Sequence, residues 1–461
     1  MNDLKAGFAR VNVTPMLGIH VAGYFKERVA DGVLDELEIN ALALESGGAR
    51  LLLLSMDICH LSTKRCEGFR KNIEDQTGVP ADHIFIHSTH THTGPVTEPY
   101  GTKEDTHATS SQSGDPLFDE YIQFVDRRMV EVSVLALQDL KPARLGYAVS
   151  KASNIAFIRR YVMTDGTVHT NPGVNNPEVV RPAGETDERV NVLRIDQEGG
   201  YSIVLVNFGD HPDTVGGCKI TADWPGFLRR KVEKALDNTR CIFFNGAQGD
   251  VNHVNVFPKG GDLNDMFMDF DDVSRGYGHA RHMGNVVAGS VLQVYDKVAW
   301  TDVDSVSGMT RTFEVPSQMP TPEEMPLAHK YHDLHKAGRD DLIPYRGMML
   351  TTVVARAGRM VRLENGPEAF PMTLTGLTVG PFAIVGIPGE PFTGIGTALK
   401  EAEGFTLVLP MCLSNGAEGY FPMMDCYEEG GYETSGSKFK AGVAEVIIKE
   451  GLELLSDLRK A

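Results

Sequence analysis

Six apolar runs of strand length punctuate this chain, and the loops that leave them constrain the fold most. The runs lie in Ala49–Leu61, His83–His90, Tyr201–Asp213, Arg240–Asn252, Pro381–Pro391 and Phe405–Tyr420. Short continuous apolar runs bounded by polar residues predict strands buried on both faces. Helix-period patterns separate them, over Ala222–Leu236, Val273–Tyr295 and Lys438–Leu458. Buried strands interleaved with helices predict an α/β, mixed α+β class, with central β-sheets flanked by helices. Five of the six runs end in polar clusters: HSTHTHTGP, NFGDHPD, NGAQGDVNH, PGEP and NGAEGY. One polar loop after a strand means little. Five such loops rich in His, Asp, Glu and Tyr predict one composite site where strand ends converge.

The first of these clusters holds His87, His90 and His92. On an extended strand His90 and His92, two apart, share a face. That spacing suits one metal, or one ligand beside one acid/base group. His211 follows another strand next to Asp210, in the manner of a metal ligand with a supporting carboxylate, although neighbouring strand residues point opposite ways. Glu390 is fixed between Gly389 and Pro391. Its carboxylate is either a ligand or a solvated loop group. The segment Gly431–Lys438 lacks the Gly-Lys-Ser/Thr ending of a phosphate loop. No Gly-x-Ser-x-Gly elbow of a serine hydrolase occurs.

Other function classes are disfavoured by composition. The formal charge is −18, from 44 basic and 62 acidic side chains. Phosphate binding requires a basic stripe, so no nucleic-acid partner is expected. No run reaches the length of a membrane span, and no stable membrane insertion is expected. The N-terminus shows no signal-peptide pattern, which together with six cysteines lacking any CxxC leads to the expectation of a reducing, cytoplasmic setting. No repeat or low-complexity linker divides the chain, so a single catalytic domain over residues 1–461 is expected. The oligomeric state is left open.

Taken in order, the motifs resemble those of the neutral, non-lysosomal ceramidases, a family of zinc amidohydrolases, through their N-terminal catalytic domain. The resemblance starts at GFARVNVTPMLGIHVAGY (Gly7–Tyr24) and includes Asp35. It continues through THTHTGP, NFGDHPD, TADWPG, QGDVN and PGE to NGAEGYFPMMDCYEEGGYE. It implies a zinc ion held by His90, His211, Glu390 and Tyr420. It implies His92 as acid/base, Tyr432 as a residue lining the site, and an arginine for the substrate carbonyl, either Arg159 or Arg160. Two departures accompany it. Asn252 stands where the family has a serine, and the chain ends in a helix where the family continues into an immunoglobulin-like domain.

The resulting expectation is a zinc-dependent hydrolase of an amide or ester bond in a small-molecule substrate other than ceramide. His92 would move the proton, Arg159 or Arg160 with Tyr432 would stabilise the oxyanion, and Asp250 and Asp223 would orient the ligands. Asn252 could donate a hydrogen bond but not act as nucleophile. The polar loop Pro172–Arg189 fits a second reading, a zinc hydrolase of a carbohydrate or other polar substrate. A third reading is a metal-binding scaffold without turnover, against which the presence of both His90 and His92 speaks.

Overall fold

Along the strand Ala49–Met56, Leu51 and Leu53 face one core while Leu52, Leu54 and Met56 face another. This alternation sets the architecture of the protein, a computed structural model that describes residues 3–98, 115–266 and 275–460. A nine-stranded sheet runs in the order Thr239–Asn245, Ser202–Phe208, Arg189–Gln197, Lys141–Lys151, Lys5–Asn12, Glu38–Ser46, Ala49–Met56, Ile84–Ser88, with Ala299–Thr301 added beside Lys141–Lys151. A four-stranded sheet runs Val306–Pro316, Ala369–Val379, Phe382–Gly386, Leu407–Met411.

The two sheets face each other through one core that joins Phe8, Leu53, Phe85, Leu205 and Phe244 to Leu377, Ile384 and Met411. The opposite face of the large sheet is covered by two pairs of helices. Thr63–Thr77 and Pro116–Gln138 lie over one half, and Asp223–Ala235 and Tyr277–Val294 over the other. The far face of the small sheet is covered by Thr393–Lys400 and Val443–Leu458. The fold is therefore a mixed α+β assembly of four layers: helices, sheet, sheet, helices. Leu42, Leu52, Leu54 and Ile242 are fully buried, and each such side chain contributes roughly 1.5–3 kcal/mol relative to exposure.

Three pairs of long strands are parallel: Ala49–Met56 with Ile84–Ser88, Ser202–Phe208 with Thr239–Asn245, and Phe382–Gly386 with Leu407–Met411. These six strands are the cores of the six apolar runs. Parallel pairing puts both carboxyl ends of a pair at one edge, and the loops that leave those ends meet. The three sequence-read helices are found at Asp223–Ala235, Tyr277–Val294 and Val443–Leu458. Val273 and Ser274, at the start of the second helical pattern, lie outside the described residues. All six cysteines are free, and all but Cys218 are buried. Among the described residues no helix is long and apolar enough to cross a membrane.

Candidate metal centre and active site

His87 is the first histidine of the cluster and it takes no part in the site. Its Nδ1 lies 2.8 Å from the Cys412 carbonyl, and its Nε2 accepts the Asn245 N–H at 2.9 Å. Three strand ends are thereby tied together by one ring. Burial holds this imidazole down at about 3, so it is neutral, as a ring with one donor and one acceptor filled by backbone should be.

The strand ends at Ser88, so His90 and His92 do not share a face of a pleat as the spacing predicts. His90 instead has a φ of 78°, in the left-handed region that non-glycine residues rarely enter. Its neighbours impose this. The His90 N–H donates to the Ile58 carbonyl at 2.9 Å, and the Thr89 hydroxyl reaches Asp57, which is itself pinned by Arg229. The turn brings the Nε2 atoms of His90 and His92 to 3.2 Å. Gly23 makes room for this arrangement. A Cβ there would come within 2.7 Å of the His92 ring, and its φ of +106° excludes most side chains.

His211 arrives from the loop after Ser202–Phe208, and its Nε2 lies 3.3 Å from that of His90. Glu390 arrives from the end of Phe382–Gly386, and its Oε2 lies 3.3 Å from His90 Nε2 and 3.1 Å from His211 Nε2. Gly249 permits this approach, since a Cβ there would meet the Glu390 carbonyl at 2.4 Å. A two-residue parallel bridge pairs Glu390 with Tyr420, and the Tyr420 ring stacks on His211 with centroids 6.5 Å apart at 18°. His90, His211 and Glu390 are all essentially inaccessible to solvent.

The donor set fits a zinc ion. His90 gives its Nδ1 to the Cys59 carbonyl at 2.8 Å, and His211 gives its Nδ1 to the Gln248 carbonyl at 2.9 Å. Each carbonyl fixes the proton on Nδ1 and leaves the Nε2 lone pair aimed inward, as outer partners do for metal-bound histidines. Burial, and then Arg159, hold His211 down at about 4, keeping it a neutral donor. His90 behaves differently. Burial opposes its protonation, but Glu390 and Cys59 outweigh it and raise the ring well above its usual value. That shift marks a point where positive charge is favoured, and a cation seated among the three would take the place of the proton. His90, His211 and Glu390 present ligand atoms all within 4.8 Å of one another, as do Cys59, His90 and His92. Two imidazoles and a carboxylate are a zinc set.

The four-layer arrangement matches solved structures. A crystal structure of neutral ceramidase from Pseudomonas aeruginosa superposes with a TM-score of 0.74, covering 100% of this chain and 75% of that one, at 16% sequence identity. A structure of a ceramidase complexed with C2 gives a TM-score of 0.73, covering 100% of this chain and 76% of that one, at 15% identity. The chain has the fold of a neutral ceramidase. No protein-family model matches the sequence, and no curated protein matches it.

On this neutral-ceramidase fold the two sequence-adjacent arginines part company. Arg159 Nη1 lies 3.3 Å from His211 Nε2, and its guanidinium sits 5.2 Å from the centre of the Tyr420 ring. Arg160 turns away, to the Cys426 thiol at 2.8 Å, Glu429 at 3.1 Å and the Gly430 carbonyl at 2.9 Å. Tyr432 packs edge-on against Tyr420 with centroids 5.6 Å apart, and burial raises its hydroxyl above the usual tyrosine range.

The remaining sequence-predicted residues support the backbone around the centre. The Asp250 carboxylate accepts from the N–H and the hydroxyl of Thr393, both at 2.8 Å, and so caps the helix just after Glu390. Asp223 accepts from the Thr214 and Val215 N–H groups at 3.0 Å and holds the loop after His211. Asp35 accepts from the Thr221 hydroxyl and the Ala222 N–H, at the start of the Asp223 helix. The Asn252 amide is committed to Asn171 and to the Val254 N–H, both at 3.0 Å.

Three further residues of the site carry no signal of their own in the sequence. Gln248 donates to Glu390 at 3.3 Å as well as receiving His211 through its carbonyl. Glu433 is fully buried and accepts from Arg159 at 2.7 Å and from Thr170 at 2.8 Å. Asp213 lies 3.8 Å from His92 Nδ1 and is contacted by Tyr24 and Arg275. The signal that could have found them is position, since they lie in the motifs QGDVN, GGYE and GDHPD, close to Asp250, Tyr432 and His211.

Proposed function

We propose that this chain is a zinc-dependent hydrolase of an amide or ester bond in a small molecule. One observation carries the reading: His90, His211 and Glu390, from three separate strand ends, turn lone pairs to one point while backbone carbonyls hold both rings from behind. These three residues would hold the ion, and Tyr420 would be its fourth ligand. Zinc in such a set polarises a carbonyl and makes water acidic near neutral pH.

The other roles fall to the residues around that point. His92 faces the cluster through Nε2 and has the Asp213 carboxylate on its Nδ1 side. It takes a proton from the attacking water at Nε2 and returns it to the leaving nitrogen or oxygen. Arg159, beside His211, and Tyr432, beside Tyr420, are the residues assigned to stabilise negative charge on the carbonyl oxygen. Glu433 balances the Arg159 charge in a place where an unpaired guanidinium would be costly to bury.

The test is a panel of acyl-amide, ester and glycoside substrates offered to the purified chain with and without chelator. Chelator-sensitive release from an amide or ester supports the reading. Turnover confined to glycosides, or full activity after the zinc has been removed, overturns it.

A further inference from the structure

We propose that His253, His279 and His282 form a second site, for a divalent transition-metal cation. None of the three belongs to the centre described above. His253 follows the short strand Val251–Asn252 and is only 3% exposed, yet among the described residues neither of its ring nitrogens has a hydrogen-bond partner. His279 and His282 lie three residues apart on the helix Tyr277–Val294, where that spacing puts side chains on one face. All three rings line one cavity of about 330 Å³, together with Asp262.

One of the rings is held from behind, as the rings of the main centre are. His279 Nδ1 is held by the Asp265 carboxylate at 3.0 Å, and its buried Nε2 has no partner among the described residues. The carboxylate keeps the proton on Nδ1 and leaves the Nε2 lone pair free, which is the outer-partner arrangement of a metal-bound histidine. Ring centroids are 5.9 Å apart for His253 and His279, and 5.9 Å for His279 and His282. The ligand histidines of the main centre, His90 and His211, stand closer, at 4.8 Å. Burial holds His253 at about 3 and lowers His279, so both rings are neutral and their lone pairs are available. Neutral imidazoles beside Asp262 and Asp265 offer nothing to an anion. They suit a borderline cation such as zinc, nickel or copper(II). A buried imidazole with no partner is costly, and a bound cation satisfies it.

The test uses the full chain, stripped with chelator, reloaded with zinc and dialysed. Zinc per chain and affinity against a competing chelator are measured for the parent, His253→Gln, His282→Gln and His90→Ala. The parent is expected to hold one equivalent that both glutamine variants lose or bind about tenfold or more weakly, and that His90→Ala keeps. His282 is exposed, so His282→Gln reads the site even where His253→Gln fails to fold. Zinc content and affinity unchanged in His282→Gln overturn the proposal. Loss confined to His90→Ala supports the main centre and removes this one. Loss confined to the glutamine variants does the reverse.

Discussion

The Nε2 atoms of His90 and His211 face each other across 3.3 Å, and each ring is held in that pose by a carbonyl on its far side. Two imidazoles with a carboxylate 3.1–3.3 Å away form a group that could hold a metal ion. The purified chain is therefore expected to hold zinc through this set. His90→Ala and His211→Ala should each lose that zinc, and their melting temperatures should respond less to chelator than the parent's does, because binding to the folded state alone is what makes a ligand stabilise. Elemental analysis and melting curves check this. Parent protein that neither carries zinc nor takes it up on reconstitution would sink the idea.

His92 stands in the same loop, with its Nε2 3.2 Å from that of His90. Under the proposed mechanism it moves a proton and does not hold the ion. His92→Ala should keep zinc and melting temperature while kcat falls by about 10²–10⁴-fold, the usual worth of general acid–base catalysis. Zinc content and kcat on the substrate the panel identifies decide it. If His92→Ala loses an equivalent of zinc that His90→Ala does not, the two roles are reversed.

Arg159 and Arg160 are told apart by what they touch. Arg159→Lys keeps charge beside Glu433 but loses the planar fork that spans His211, Glu433 and the Gly249 carbonyl. It should lower kcat by about 10²–10³-fold, the cost of one oxyanion donor. Arg160→Lys should cost stability through Cys426, Glu429 and Gly430, with kcat within a few-fold of the parent. Parallel kcat and denaturation measurements separate the two, and a larger kcat loss in Arg160→Lys would reverse the assignment.

Most of what the sequence discloses of this fold comes from one physical fact. Parallel strands are covered on both faces and so are apolar throughout. The six runs read from the sequence are the six strands of the three long parallel pairs. The strands not read were antiparallel ones such as Val306–Pro316, where partly exposed residues interrupt the apolar pattern. The loops that leave these runs carry His90, His92, His211, Glu390 and Tyr420, so the candidate residues are read along with the strands. The choice between Arg159 and Arg160 does not. Phe157–Ile158 is a two-residue strand and Arg160 opens the next, and neither length nor period tells which arginine faces inward. Nor does spacing reveal the φ of His90, which depends on the Ile58 carbonyl and on Thr89 held through Asp57.

Ceramide is expected to be a poor substrate. Asn252 occupies the position of a family serine, and its amide already bridges Asn171 and the Val254 N–H. Nothing in that arrangement presents a hydroxyl to the centre. Hydrolysis of a short-chain fluorescent ceramide should be far slower than by a neutral ceramidase assayed alongside. Comparable rates would show the serine to be dispensable.

His87 carries a stability prediction with a definite sign. Burial depresses its folded-state value to about 3, against roughly 6.5 in an unfolded chain. Above pH 6.5 both states are neutral and the contribution is fully present. Between pH 6.5 and 3 the unfolded chain takes up the proton and the folded chain does not, so stability falls with falling pH, by at most about 1.4 kcal/mol per pH unit from this one group. His211 and His253 have depressed values too, so the comparison that isolates His87 is between the parent and His87→Ala. At pH 7.5 the variant should be less stable, by about 1–3 kcal/mol for each of the two backbone groups left unsatisfied, the Cys412 carbonyl and the Asn245 N–H. As the pH falls toward 4 the gap should narrow, because the parent alone loses the His87 contribution. Chemical denaturation at a series of pH values measures both effects. A gap that stays constant from pH 7.5 to 4 would mean that His87 takes up its proton in the folded chain, and that the three strand ends are not held by a neutral ring.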